Sequence, residues 1–274
     1  MVTTEQRQQL EEKSRVLRKH VIEMTYRAQS GHPGGSFSLA HIMSVLYFHD
    51  LRYDARNPQW LERDRVILSK GHAAPIWYAA LAEAGYFPID ELWKLRQIDS
   101  LLQGHPCNHI PGVDVTTGSL GLGLSAACGI AMGAKINGKE RVRVYAILGD
   151  GELGEGQIWE AAMAAPHFKL GNLTAILDRN RYQNDGATKD IMDTEPLYDK
   201  WRSFGWQVLD IDGHNISQIA DAFSLARETK DKPTMVIANT VKGCGASYMI
   251  DKPALHYTPP TKEQMEQTLK ELGF

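Results

Sequence analysis

The sequence predicts an α/β fold, a mostly parallel sheet with helices on both faces. Three observations carry that expectation. Short apolar runs recur along the chain, namely "RVIL" (65–68), "VRVYAIL" (142–148), "LTAILD" (173–178), "WQVLD" (206–210) and "TMVIANT" (234–240). Helical stretches separate them. The runs are near-continuous rather than alternating, as strands buried on both faces are.

The elements follow in order. Leu10, Leu17, Val21 and Met24 recur at helical spacing, so a first helix spans about residues 5–29. "FSLAHIMSVLYFHDL" is a second helix, and "AAPIWYAALAEAG" a third that Gly85 ends. "LGLSAACGIAMGAKI" is a helix of small residues suited to close packing, and "GQIWEAAMAAPHF" is another. No repeat, low-complexity segment or linker divides the chain, so residues 1–274 read as one domain.

Composition excludes several classes. The 274 residues can bury a sizeable core, and 43% hydrophobic with 23% charged is ordinary for a globular protein. A net charge of −3 leaves no basic footprint for nucleic acid. No apolar run reaches the roughly 18 residues of a membrane helix, and the charged N-terminus does not read as a signal peptide. Cys107, Cys128 and Cys244 lie far apart without zinc spacing, which suits reduced thiols in a cytoplasmic protein.

"YAILGDGELGEG" sets a carboxylate, Asp150, between Gly149 and Gly151 at a strand end. Ligands of such folds sit beyond the carboxyl ends of the strands. The strand "LTAILD" also ends in polar residues, and Asn180 follows Asp150 by 30 residues. A crossover helix between adjacent parallel strands would bring the two ends together. A carboxylate, an amide oxygen and a backbone carbonyl make a hard oxygen site suited to Mg²⁺ or Ca²⁺, and so to a diphosphate. A plain turn is the alternative for GDG alone, and the Asn at this spacing weighs against it.

"TTGSLGLGLSAA" nearly matches a dinucleotide fingerprint at Gly121, Gly123 and Ala126, with "VDVTT" as a possible strand before it and Glu140 about 20 residues on. That reading gives a nicotinamide-dependent oxidoreductase and leaves GDG without a role. The loop could equally bring a cofactor ring to the backbone, or only serve close helix packing. "SGHPGG", "SKGHAA" and "QGHPC" hold His32, His72 and His105, each after a glycine, and "KPALHYTPP" holds His256. A lone loop histidine is usually solvated. Three in Gly-His contexts at element boundaries suggest hydrogen bonding to sugar hydroxyls and proton transfer.

"SGHPGGSFS", "DRVILSKGHAA", "LQGHP", "PGVDVTTGSLGLGLS", "GDGELGEG", "NRYQNDGAT" and "NTVKGCG" together resemble transketolase, in the family's order and to about residue 260. The resemblance covers only the family's first domain, the one that binds the diphosphate of thiamine diphosphate; the pyrimidine and C-terminal domains have no counterpart. It implies a thiamine diphosphate-binding fold and the N-terminal subunit of a split transketolase. The implied activity is transfer of a two-carbon ketol unit from a ketose phosphate to an aldose phosphate, with the cofactor as electron sink.

Residue by residue, the resemblance implies that Asp150, Asn180 and the carbonyl of Tyr182 ligate Mg²⁺ (or Ca²⁺). Gly149 and Gly151 would lie at the diphosphate, and Gly118, Ser119 and Leu120 beside the thiamine rings. His72 and His256 would stand near the diphosphate and the reaction centre, His32 and His105 at the substrate hydroxyls. Glu155 and Glu160 match acidic residues near the dimer centre, although glutamates early in a helix also suit its positive end. The implied partners are sugar phosphates and a C-terminal subunit carrying the pyrimidine domain and its activating glutamate. Two of each chain would form a heterotetramer around a homodimer of this one. Leu122, Asn184 and Cys244 depart from the family pattern, and "HYTPP" around His256 is its loosest match. Without the other domains, a non-catalytic binding or regulatory homologue is the second reading.

Overall fold

The computed structural model describes residues 2–139 and 141–274. Strands β1 (Arg65–Leu68), β2 (Val144–Gly149), β3 (Leu173–Arg179), β4 (Gln207–Asp212) and β5 (Thr234–Asn239) form one sheet in the order β1-β2-β3-β5-β4. Every pairing is parallel, and the register sets Gly149 opposite Asp178. The expected fold class and all five expected strands are present. The α-helices among the described residues are α1 (Thr4–Ala28), α2 (Pro33–Phe37), α3 (Ala40–Val45), α4 (Ala74–Glu83), α5 (Leu122–Ile136), α6 (Gly156–His167), α7 (Thr188–Ile191), α8 (Leu197–Ser203), α9 (Ile216–Glu228) and α10 (Lys262–Leu272).

Side chains alternate across the sheet, so each strand feeds two cores. Tyr145, Ile147, Ile176 and Val236 enter the layer built with α1, α3, α4 and α9. Val144, Ala146, Leu148, Ala175, Leu177, Met235 and Ile237 enter the layer built with α5, α6 and α8. Burial on both faces explains why the runs read as continuous apolar stretches. β4, at the sheet edge, is only half covered.

Two expectations need correction. The second helix is not continuous over 37–51. It begins earlier, at Pro33, breaks at Ser38–Leu39, and ends in wide π turns over Leu46–Asp50. At the break the Ser38 hydroxyl donates to the Gly35 carbonyl at 3.0 Å and to Asp178 Oδ2 at 2.7 Å, a tertiary contact that overrides the helical run. "VDVTT" is not a strand. Asp114 is drawn instead to Arg63 at 2.7 Å and Arg65 at 3.3 Å, which holds this segment off the sheet. The fingerprint therefore lacks the strand it requires, and Glu140 lies outside the described residues.

Candidate active site

The polar residues that end the strands converge on one side of the sheet. A cavity of about 400 Å³ lies there, lined by the ends of β1, β2, β3 and β5 and by the loops at His32, Gly118 and His256. A second cavity of about 430 Å³ adjoins it and shares Asp150, Asn180 and Tyr182.

Asp150 is 3% exposed and Asn180 is 6% exposed. The Asp150 carboxylate accepts from the backbone N–H of Gly151 at 2.9 Å and from that of Arg181, so two turns from two strands fix it. It joins no ion pair among the described residues. Burial, and then the charge of Asp178, push its pKa up to about 7. Asn180 Oδ1 accepts from the Tyr182 N–H at 3.1 Å, and its Nδ2 donates to Asp178 at 3.0 Å. Gly151 is required: a Cβ there would stand 2.7 Å from Gln183 Cβ.

Beneath this lies a floor that the motifs did not reveal. Asp178 is fully buried and pairs with the Lys70 ammonium. It also accepts from Ser38 and Thr240. Burial raises its pKa, but Lys70 and these donors bring the net shift below the usual value. Glu152 is a second buried carboxylate. It accepts from Ser69, from the Gly121 N–H at 2.8 Å and from the Gly149 N–H at 3.1 Å, tying three loops together.

A triangle of imidazoles lines the same cavity. His32, His72 and His256 have ring centroids 5.2–5.3 Å apart. Pro33 at the first position of α2 leaves His32 outside the helix, facing the cavity. Its Nδ1 is buried without a protein partner. Burial, then nearby cations, hold all three pKa values down: Arg96 helps lower His32 to about 4, Lys242 lowers His256 to about 3, and Lys70 takes His72 well below the usual range. All three are neutral at pH 7. Lys242, 1% exposed, donates to His256 Nδ1 at 2.7 Å, and burial with Lys70 lowers its own pKa to about 8.

Of the residues singled out in the sequence, Gly118, Leu120, Gly149, Gly151, Glu155, Tyr182 and the three clustered histidines line the cavity with Asp150 and Asn180. His105 is exposed and outside the lining, but its ring packs on Gly118, where a Cβ would meet it at 2.9 Å. Ser119 and Glu160 are exposed and do not line it. Lys70, Glu152, Asp178 and Lys242 were missed. A lysine next to the end of a buried strand, as in "ILSK" and "ANTVK", was the available signal for two of them.

The donor set fits a divalent cation and an anion. Asp150, Asn180 and Tyr182 offer oxygens around one space, while two buried ammonium groups and neutral imidazoles face it. A profile described as "Transketolase, thiamine diphosphate binding domain" matches residues 7–274. The chain belongs to the transketolase family. Within that family it is 44% identical to "6-deoxy-6-sulfo-D-fructose transketolase subunit SqwG" of Clostridium sp. (strain MSTE9), over 98% of each chain. It is 40% identical to an apulose-4-phosphate transketolase subunit of Phocaeicola vulgatus, over 96% of this chain and 94% of that one. The transketolase of Campylobacter jejuni superposes with a TM-score of 0.92 at 34% identity, over 97% of this chain and 43% of that one. The chain thus spans less than half of the solved transketolase and nearly all of the two subunits. Transketolase membership carries a ketol-transfer role, and the two relatives named above are subunits of transketolases. No helix among the described residues is long and apolar enough to cross a membrane.

Proposed function

We propose that the chain is the diphosphate-binding half of a two-chain transketolase. It would move a two-carbon ketol unit between sugars whose far end is anionic. The observation that carries this is the single cavity lined together by Asp150, Asn180 and Tyr182, by His32, His72 and His256, and by two buried lysines. Asp150, Asn180 and the Tyr182 carbonyl would hold Mg²⁺, or Ca²⁺, and through it the diphosphate. Gly149 and Gly151 let that group approach the backbone, and Lys70 and Lys242 offset its charge. Gly118 to Leu120 would flank one side of the thiamine rings, whose chemistry is that of an electron sink.

The neutral imidazoles of His32, His72, His105 and His256 then donate and accept at the hydroxyls of donor and acceptor sugars. An anion beside them reverses the local field and raises their pKa values toward the range useful for proton transfer. Glu155, at the cavity edge, and Glu160, exposed on α6, face outward, where a second copy would bring its own cofactor near. The names of the two subunit relatives extend the substrate class from sugar phosphates to sugar sulfonates. Being named as subunits, they also support a partner chain; in this reading that partner carries the pyrimidine domain and joins this chain in a heterotetramer of two and two. The free cysteines suit the cytoplasm.

Calorimetric titration of thiamine diphosphate with Mg²⁺ tests the site. Asp150→Ala should abolish metal-dependent binding, because the diphosphate loses its bridge. Unchanged affinity and metal dependence would remove Asp150 from the site.

A further inference from the structure

Behind the cavity wall lies a second histidine pair that the proposed reaction does not use. His214 follows β4 in the turn Asp212–Asn215, and its own N–H donates to Asp212 Oδ1 at 2.9 Å. Its Nε2 accepts from the backbone N–H of Val241 at 2.8 Å. Val241 immediately precedes Lys242, whose ammonium donates to His256 Nδ1 at 2.7 Å. The neighbouring N–H groups of Thr240, Gly243 and Cys244 bond to the carbonyls of Arg179, Gly34 and Val241. Val241 alone among these four relies on a side chain.

The protons of the pair are assigned by its neighbours. A backbone N–H can only donate, so His214 Nε2 carries no proton, and a neutral ring then has its proton on Nδ1. That Nδ1 faces His41 Nδ1 at 3.2 Å. His41 Nδ1 also faces the Arg18 guanidinium at 3.0 Å, which can only donate. His41 must therefore accept there and carry its proton on Nε2, 3.2 Å from the Glu11 carboxylate. The Arg18 N–H and the His214 Nδ1–H then share the one lone pair of His41 Nδ1, an arrangement open only while both rings are neutral and in these tautomers. Both rings are largely buried, which favours that state.

We infer that His214 is a positioning residue, which through the Val241–Lys242 turn fixes which nitrogen of His256 bears its proton. The chain of contacts is continuous: Glu11, His41 and Arg18 set the tautomer of His214, His214 holds the Val241 N–H, and the turn delivers Lys242 to His256. Lys242 occupies Nδ1, so His256 keeps its proton on Nε2. Without the acceptor at 214 the Val241 N–H loses its partner, the turn relaxes, and His256 is free to populate both tautomers. This rests on the proposal that the cavity holds thiamine diphosphate.

Imidazole ¹⁵N NMR on the full chain, with calorimetric titration of thiamine diphosphate and Mg²⁺, tests it. The wild type should show protonated Nδ1 on His214 and protonated Nε2 on His256. In His214→Phe the His256 signals should move to a mixture of tautomers, and cofactor affinity should fall about tenfold. His214→Gln places an amide oxygen near the site of Nε2 and should restore both readouts, with affinity within about twofold of wild type. Should the phenylalanine variant not fold, the wild-type tautomers and His214→Asn, whose amide is too short to reach Val241, carry the same test. A proton on His214 Nε2 in the wild type overturns the inference, and so does an unmoved His256 signal in a folded His214→Phe or His214→Asn chain. A wild-type chain that binds no thiamine diphosphate sinks the reading of the cavity instead, and the tautomer measurements still decide the linkage.

Discussion

Asp150 and His105 differ in what surrounds them, and that difference separates their expected roles. Asp150 is enclosed by two backbone donors, whereas His105 lies exposed beside Gly118, at the edge of the cavity. In the reconstituted enzyme His105→Ala should lower turnover by roughly 10²–10⁴, the worth of a positioned acid–base group. Calorimetric affinity for the cofactor should stay near normal. Near-normal steady-state rates would exclude this role. His32 and His256 give a second expectation, about stability. Their folded pKa values of about 4 and 3 lie below the unfolded value of about 6.5. The unfolded chain takes up their protons first, so this contribution is full above pH 6.5 and is lost as pH falls toward 4 and 3. Asp150, raised to about 7, acts in the opposite direction over part of that window, so the comparison must isolate the histidine. The wild type should lose stability to urea more steeply than His32→Asn between pH 6.5 and 4. Parallel curves would show that His32 is not held neutral by the fold.

At the scale of the element, two of the three glycines of α5, Gly123 and Gly133, should respond to substitution with opposite signs. A Cβ on Gly123 would stand 2.6 Å from Ser69 Cα, whereas one on Gly133 would meet nothing within 4 Å. Helix propensity favours alanine over glycine by about 1 kcal/mol at both. Gly133→Ala in the isolated chain should therefore stabilise by up to about 1 kcal/mol. Gly123→Ala should destabilise by about 1–3 kcal/mol, because backbone contact outweighs propensity. Urea midpoints of the two variants check this, and a shared sign would mean that α5 does not pack closely on β1. Much of this architecture was legible. Five apolar runs fixed five strands, and GDG with the later Asn placed Asp150 and Asn180 on adjacent strand ends. The floor was not legible, because Ser38, Lys70, Asp178 and Thr240 meet only through the tertiary fold and share no spacing. The same Asp178 contact broke the helix expected over 37–51. Glu152 could not be told from Glu155 and Glu160, since "GELGEGQIWE" gives no local sign of which carboxylate turns inward.

For the whole molecule, the proposed function has one chain furnish one side of a site. Every residue placed at the cavity comes from strand ends and loops on one edge of the sheet, and Glu155 of its lining is exposed. Leu122 and Ile136 of α5 and Met163 of α6 are exposed, apolar side chains of the kind that partners cover. The purified chain with Mg²⁺, thiamine diphosphate and a ketose phosphate should be inactive in a coupled assay. Adding a partner that carries the pyrimidine domain should restore two-carbon transfer. Robust turnover by the chain alone would defeat the two-chain arrangement.

The knot of buried polar groups under the cavity also has a consequence in time. Ser38 and Asp178 are 140 positions apart, Ser69 and Glu152 are 83 apart, and Thr240 lies 62 beyond Asp178. A ribosome delivers Ser38 and Lys70 long before their partners exist, and the last strut, Thr240, arrives when most of the chain has been made. Lys70 has no carboxylate to meet until Asp178 is made, and the cradle for an anion has no complete floor until Thr240 joins it. Cofactor capture is therefore a late event in the life of a new chain, and no fragment ending before β5 should be able to rehearse it.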